Sequence, residues 1–230
     1  MKRMGILGMA LAAALTMACN TNTRSDIAAN NSVDNTAVGT AGEDRNLPTA
    51  GDKDFINESS MAGMAEIELG KLASERALSA DVKQYGQMMV MDHTKAGDEL
   101  KQVASRFNIT PANGLNDDHR RLREKLAKLQ GAAFDREYMN AMVDSHQGVV
   151  NRLESRVDKK MLGDWKAKWE AATDRDKRVP EQIMPEKSDN PATMAVNQWA
   201  ANTLPTATHH LDRAKALHDK VDKAGRNATH

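Results

Sequence analysis

Between Pro48 and Pro180 the chain contains one proline, Pro111, which leaves two long stretches free to run as helix. Proline inside a helix removes a hydrogen bond and costs about 3 kcal/mol, so its absence over such lengths is a strong constraint. Apolar side chains in both stretches recur at three-four spacing, the period of one helix face. Phe55, Ala62, Leu69 and Arg76 fall every seven residues, with Glu66 and Ala73 between them, and predict a first helix over Asp54–Leu78. Ser79-Ala80-Asp81 then reads as a short connection with capping residues. Val82, Tyr85, Met89, Asp92, Ala96, Val103 and Phe107, with Leu100 at the edge, trace a second helix ending near Asn108. Leu115, Leu122, Leu126 and Leu129 give a shorter third helix, stopped by Gly131.

A fourth long helix is expected from Ala133, marked by Phe134, Tyr138, Met142, His146, Val149 and Leu153 and continuing through Met161, Trp165 and Trp169. Residues 173–190 are charged, hold Pro180 and Pro185, and read as a loop. Asn190-Pro191 starts a last helix that Pro205 either kinks or divides. Eight aromatic side chains are too few for an all-β sandwich or barrel. The expected fold is therefore all-α, an antiparallel bundle of four main helices plus short extra ones.

The second and fourth helices share a pattern. Tyr85, Met89, Val90, His93 and Leu100 repeat, at identical spacing, as Tyr138, Met142, Val143, His146 and Leu153. These are the two tyrosines of the chain, each eight residues before a histidine. Residues at i and i+4 share a helix face, so Met and His of each copy point the same way. Two such helices related by a pseudo-twofold axis would bring His93 towards His146.

Two further polar residues fall in the phase of the core. Glu66 lies between Ala62 and Leu69, and His210 belongs to the heptad run Thr203, Ala207, Ala214, Leu217, Val221. Each main helix thus offers one candidate metal ligand: Glu66, His93, His146 and His210. Imidazole with carboxylate suits one divalent ion of zinc, iron, manganese or copper. The same residues would equally make a buried polar network with the tyrosine hydroxyls, fixing helix register. Asp92 reads either as an outer partner of the histidines or as a surface charge. Met88, Met89, Met91, Met139 and Met142 surround the repeat histidines. Thioethers beside imidazoles suit copper, although methionine is also the ordinary filler of irregular cores. His119, His218 and His230 read as polar-face or terminal, and His209 points away from the face of His210.

The N-terminus carries an address rather than structure. Lys2 and Arg3 precede an apolar run, Ile6–Met17, that is too short to span a bilayer. Thr16-Met17-Ala18-Cys19 follows, and resembles a bacterial lipoprotein signal in which Cys19 is lipidated. The non-aspartate Asn20 implies the outer membrane, facing the periplasm. The expected organisation is a signal peptide at 1–18, a lipidated, disordered tether at 19–52, a bundle domain at 53–224 and a tail at 225–230. A flexible tether of that length spans roughly 30 Å. Loss of Lys2 and Arg3 from a balance of 32 basic and 32 acidic residues leaves the mature chain at −2. That balance excludes a nucleic-acid binder acting by phosphate neutralisation. One cysteine excludes an internal disulfide and a thiolate zinc site.

Several segments resemble the family called domain of unknown function 4142. They are Phe55, Met61 to Gly70, Met89-Val90-Met91-Asp92-His93-Thr94, Gly131 to Met139, Met142-Val143-Asp144-Ser145-His146, Leu204-Pro205 and His210-Leu211. The resemblance implies a ferritin-like helical bundle exported to the cell envelope and supplies no reaction. Di-iron proteins of ferritin-like fold use Glu-x-x-His on two helices. Here Val90, Val143 and Ala207 stand three residues before His93, His146 and His210, so one metal ion is the most these ligands could hold. The leading expectation is a lipid-anchored envelope protein with a binding or structural role. The alternatives are a metal-dependent redox enzyme or copper-binding protein using His, Met and Glu ligands, and an interaction module without metal that docks an envelope partner through the inserted Trp165–Trp169 segment or a bundle face.

Overall fold

The computed structural model describes residues 46–173, 177 and 181–227. Six helices follow in order: α1 (Ala50–Arg76), α2 (Ala80–Arg106), α3 (Asp117–Ala127), α4 (Gly131–Glu154), α5 (Lys159–Ala171) and α6 (Pro191–Asn227). The protein is all-α. Four long helices, α1, α2, α4 and α6, pack as a bundle: α1 lies along α2, α4 along α6, and the two pairs meet through α2–α6 and α1–α4. The signal residues, Cys19, the expected tether as far as residue 45 and residues 228–230 of the expected tail lie outside the described residues, whereas 225–227 continue α6. Among the described residues, no helix is long and apolar enough to cross a membrane.

Helix α1 begins four residues ahead of the expected Asp54, because Thr49 and Asp52 form a reciprocal capping box. At its other end, residues 77–79 turn the chain back into α2. There the Asp135 carboxylate, from the first turns of α4, accepts hydrogen bonds from Leu78 N (3.0 Å) and Ser79 N (2.8 Å). The two helices then touch backbone to backbone. A Cβ on Gly70 would lie 2.6 Å from the Gly86 carbonyl oxygen, and one on Gly86 would lie 2.7 Å from that of Gly70. Only glycine at both positions lets the helices approach this closely.

Helix α4 does not continue through the tryptophans. It stops at Glu154, and α5 restarts under a new cap in which the Asp158 side chain accepts from Lys160 N and Met161 N. The link between them pairs with the chain before α6, through Asp158 N to Met184 O and Glu186 N to Arg156 O, each 2.9 Å. Those pairings consume the backbone groups that a continuous helix would need. Pro205 does not divide the last helix, which runs unbroken through it. Trp165 and Trp169 stack on each other and are buried, with their indole N–H groups donating to Glu181 O and the Asp212 carboxylate.

The core falls into two apolar clusters. One gathers Phe55, Ile56, Leu100, Leu153, the three tryptophans and Leu204. The other gathers Leu69, Tyr85, Met89, Phe134, Tyr138, Met142 and Leu217. Each large side chain so buried contributes about 1.5–3 kcal/mol. Along every long helix, the residue between the two clusters is polar: Glu66, His93, His146 or His210.

Candidate metal centre

The heptad phase of each helix turns its polar residue inward, and the antiparallel packing brings all four to one level. His93 and His146 ring centroids lie 5.6 Å apart, and His210 lies 5.4 Å from each. One potential ligand nitrogen from each imidazole falls within 4.8 Å of the others. Glu66 joins two of the three: its Oε2 lies 3.0 Å from His93 Nε2, and its Oε1 lies 3.4 Å from His146 Nδ1. The sequence therefore located all four residues, and the repeat brings His93 and His146 together as its symmetry required.

Neighbouring residues orient the site. Ser145, on α4, donates to Glu66 Oε1 (2.8 Å). His146 Nδ1 is 3.0 Å from the Met142 carbonyl oxygen one turn earlier. His210 Nε2 is 2.9 Å from the Asp92 carboxylate, so Asp92 is an outer partner of a histidine on another helix rather than of its neighbour His93. Tyr85 donates to the His210 backbone oxygen (3.2 Å) and stands edge-on to the His146 ring. The sequence passed over Ser145, which stands one residue before His146 and so off the face that the core periodicity marks.

Each of the four residues keeps one buried polar atom with no aligned hydrogen bond among the described residues. These are Glu66 Oε2, His93 Nε2, His146 Nε2 and His210 Nδ1. Glu66 Oε2 and His93 Nε2 are close, but off the line of a hydrogen bond. Buried polar groups are nearly always satisfied, and a cluster of orphans needs a cause. A self-sufficient polar network would leave none of them open.

Burial opposes every charge here. It pushes His210 down to about 4, against the opposing hydrogen bond that the Asp92 carboxylate accepts, and it pushes His146 down against the pull of Glu66. For His93, burial is outweighed by the negative charges of Glu66 and Asp92, and its pKa rises. Glu66 is likewise buried, yet the surrounding imidazoles and Ser145 hold it well below the usual carboxylate range. The shifts favour a cationic His93 beside the Glu66 carboxylate and neutral rings at His146 and His210, and neutral imidazole is the form that binds metals.

A cavity of about 470 Å³ opens on the site. Glu66, Asp92, His93 and His210 line it, with Ala62, Leu100, Leu153 and Trp199 among its apolar walls. Of the methionines, Met64 lines it, but those flanking the repeat histidines do not. Met89, Met139 and Met142 are fully buried in the apolar cluster around the tyrosines, and Met91 is exposed. The cluster offers them the ordinary part of core filler.

A family model described as "Domain of unknown function (DUF4142)" matches residues 37–169. Among solved structures, the crystal structure of a DUF305 fragment from Deinococcus radiodurans is similar, with a TM-score of 0.52 and 12% identity. That alignment covers 76% of this chain and 99% of the other, and at such low identity it speaks for the fold alone. Among curated proteins, none matches.

Proposed function

The chain belongs to the DUF4142 family, and we propose that it is a binding protein of the cell envelope built around one divalent metal ion held by His93, His146, His210 and Glu66. The observation that carries this reading is the set of four orphaned polar atoms, one on each residue, buried and facing one another from four helices. Three imidazoles and a carboxylate are a donor set suited to zinc, manganese, iron or copper in the divalent state. Asp92 and the Met142 carbonyl would fix two of the rings by holding the nitrogen that does not ligate, the usual arrangement around a metal-bound histidine. Met89, Met139 and Met142 belong to the apolar cluster, so a thioether-rich copper(I) site is the poorer fit.

Metal analysis tests the site. The purified protein, loaded in turn with zinc, copper, iron and manganese, should retain about one ion per chain with one of them. His93→Ala and His146→Ala should each drop below that. Sub-stoichiometric metal in the unaltered protein after every loading would overturn the reading.

The envelope location rests on the N-terminal residues. Cys19 carries the lipid, and the stretch behind it tethers the bundle at the outer membrane. Cys19→Ser should move the protein from the membrane to the soluble fraction of the cell, and an unchanged distribution would count against lipidation. A second reading, a metal-dependent enzyme, is favoured by one feature. The cavity gives a small molecule access to the centre, as a catalytic metal requires and a closed structural one does not.

A further inference from the structure

The centre is closed on one side and open on another. Tyr85, Met89, Tyr138 and Met142 are fully buried in the apolar cluster, and His146 is as deeply buried as they are. Glu66, His93 and His210 face the cavity, and the His93 side chain keeps 11% exposure against 2% or less for the other three. The exposed residues Asp98, Lys101, Asn113 and Thr206 mark the cavity mouth. The cations of the lining are already paired, Lys101 with Asp98 at 3.2 Å and Arg152 with Glu58 at 3.0 Å. Between mouth and centre stands Asp92, one-third exposed, whose carboxylate touches His210. Two glycines complete the lining. Gly97 stands one turn after His93 on α2, and a Cβ there would meet nothing within 4 Å. At Gly63 on α1 the nearest atom to such a Cβ would be His93 Nδ1, at 4.0 Å. Unlike Gly70 and Gly86, neither is glycine because helix packing demands it; what their missing side chains leave is open space beside His93.

We propose that this cavity is the passage by which the divalent ion enters and leaves the centre, so that the protein holds an exchangeable ion, as a metal carrier does, and not a locked structural one. The inference rests on the metal centre proposed above and adds its route and its lability. A buried metal site needs an entry path, and this cavity reaches three of the four ligands. The lining holds three carboxylates, Glu66, Asp92 and Asp98, against two fixed cations, Lys101 and Arg152, and Arg152 is shared with Glu58. Such a balance in a cleft with low-dielectric walls favours the approach of a cation. The hydroxyls of Ser59, Ser60 and Thr206 add acceptors for the waters of an aquated ion. Six waters at about 30 Å³ each take about 180 Å³, well within a cavity of about 470 Å³. Asp92 joins route to site: it lines the passage and holds Nε2 of His210, whose Nδ1 is a proposed ligand atom.

Stopped-flow kinetics on the full chain carrying Cys19→Ser test this, with zinc, or with whichever of manganese, iron and copper the protein retains instead. Uptake is followed by competition with a chelating dye, and release by transfer to excess dye at concentrations where the rate has levelled off. Gly63→Leu and Gly97→Leu each place a side chain in the passage and remove no proposed ligand, and leucine favours a helix interior over glycine, so both variants should fold. Each should slow uptake and release together, at least fivefold, and leave the equilibrium affinity within about threefold of the unaltered protein. Rates unchanged in both variants overturn the passage and leave the metal centre standing. So does affinity lost with an unchanged uptake rate, which marks a damaged site and not a narrowed route. Failure of the unaltered protein to hold any of the four ions overturns the metal centre and this inference with it.

Discussion

Asp92 on α2 grips His210 on α6 through a 2.9 Å contact between Oδ2 and Nε2, which fixes the imidazole and leaves Nδ1 aimed into the bundle. The carboxylate is one-third exposed while the imidazole is almost fully buried, so the pair links the cavity surface to the centre. Removing the carboxylate frees the ring to rotate without deleting a proposed ligand. Asp92→Ala should weaken metal binding about 10–100-fold, the usual loss for an outer partner of a metal-bound histidine. Competition titration with a chelating dye measures this, and helix content should be unchanged. Undiminished affinity would show that Asp92 does not orient a ligand.

Metal uptake should release a proton. Glu66 raises the His93 pKa and so favours its cationic form, and an imidazole must be neutral to bind a metal. Calorimetric titrations in buffers of different ionisation enthalpy should show protons leaving as the ion binds, and more of them at lower pH. His93→Gln should abolish the release, and a wild-type count near zero would contradict the ion pair.

The metal-free protein should lose stability between pH 7 and 4. His210 falls from the ordinary histidine value to about 4 on folding, so between those values the unfolded chain holds the extra proton. Stability rises with pH wherever the unfolded state binds more protons. The contribution is therefore complete above about 6.5 and fades as pH falls through 4, on the order of 3 kcal/mol. His146 acts in the same sense, and so does Glu66, whose stabilisation is present above its unfolded value and lost towards acid. His93 is raised and acts oppositely, its stabilisation fading as pH rises through its folded value. His210 and His146 titrate against His93 in this interval, and Glu66 adds its loss below about 4.5, so urea midpoints should fall on acidification, and more steeply in the wild type than in His210→Gln.

Much of this was legible because helices write their faces into sequence. Glu66, His93, His146 and His210 each break an apolar stripe at a core position, and the Tyr-Met-Val-His-Leu repeat ties two of them to matching depths. What could not be read lies between elements rather than along them. The Asp92–His210 contact spans 118 positions and depends on how two helices are rotated against each other. The stop at Glu154 depends on backbone pairing with residues near Met184, a long-range event that overrides a periodicity running on through Trp165 and Trp169. Periodicity did mark the tryptophans as buried, but they pack from α5 and not from a continued α4.

Gly70 and Gly86 set the spacing that puts Glu66 beside His93. Gly70→Ala would drive a methyl group into the Gly86 carbonyl, a backbone atom that cannot swing aside. Overpacking of this kind costs about 1–3 kcal/mol. Urea denaturation should register that loss, and the forced separation of α1 and α2 should also weaken metal binding. Stability equal to the wild type would mean that the helices adjust freely.

The far end of the bundle depends on Asp52. Its Oδ1 meets Arg156 Nη1 at 2.7 Å, and its Oδ2 accepts from Thr49 N, Thr49 Oγ1 and Thr193 Oγ1 at 3.0, 2.7 and 2.7 Å. Arg156 also donates to Gly51 O and lies 4.7 Å over the Phe55 ring, so one carboxylate ties the starts of α1 and α6 to the segment after α4. Asp52→Asn removes the charge but keeps the shape, leaving a largely buried guanidinium uncompensated. Breaking one side of such a pair costs about 3 kcal/mol, which urea denaturation at pH 7 should show. Burial raises the Asp52 pKa, but the hydrogen bonds from Thr193, Thr49 and Arg156 outweigh it and hold the carboxyl below its ordinary value. Its contribution is thus full above about pH 4 and lost in stronger acid, so the wild-type and Asp52→Asn curves should converge there. Curves that stay parallel down to pH 2 would show that the carboxylate's charge is not what holds this end closed.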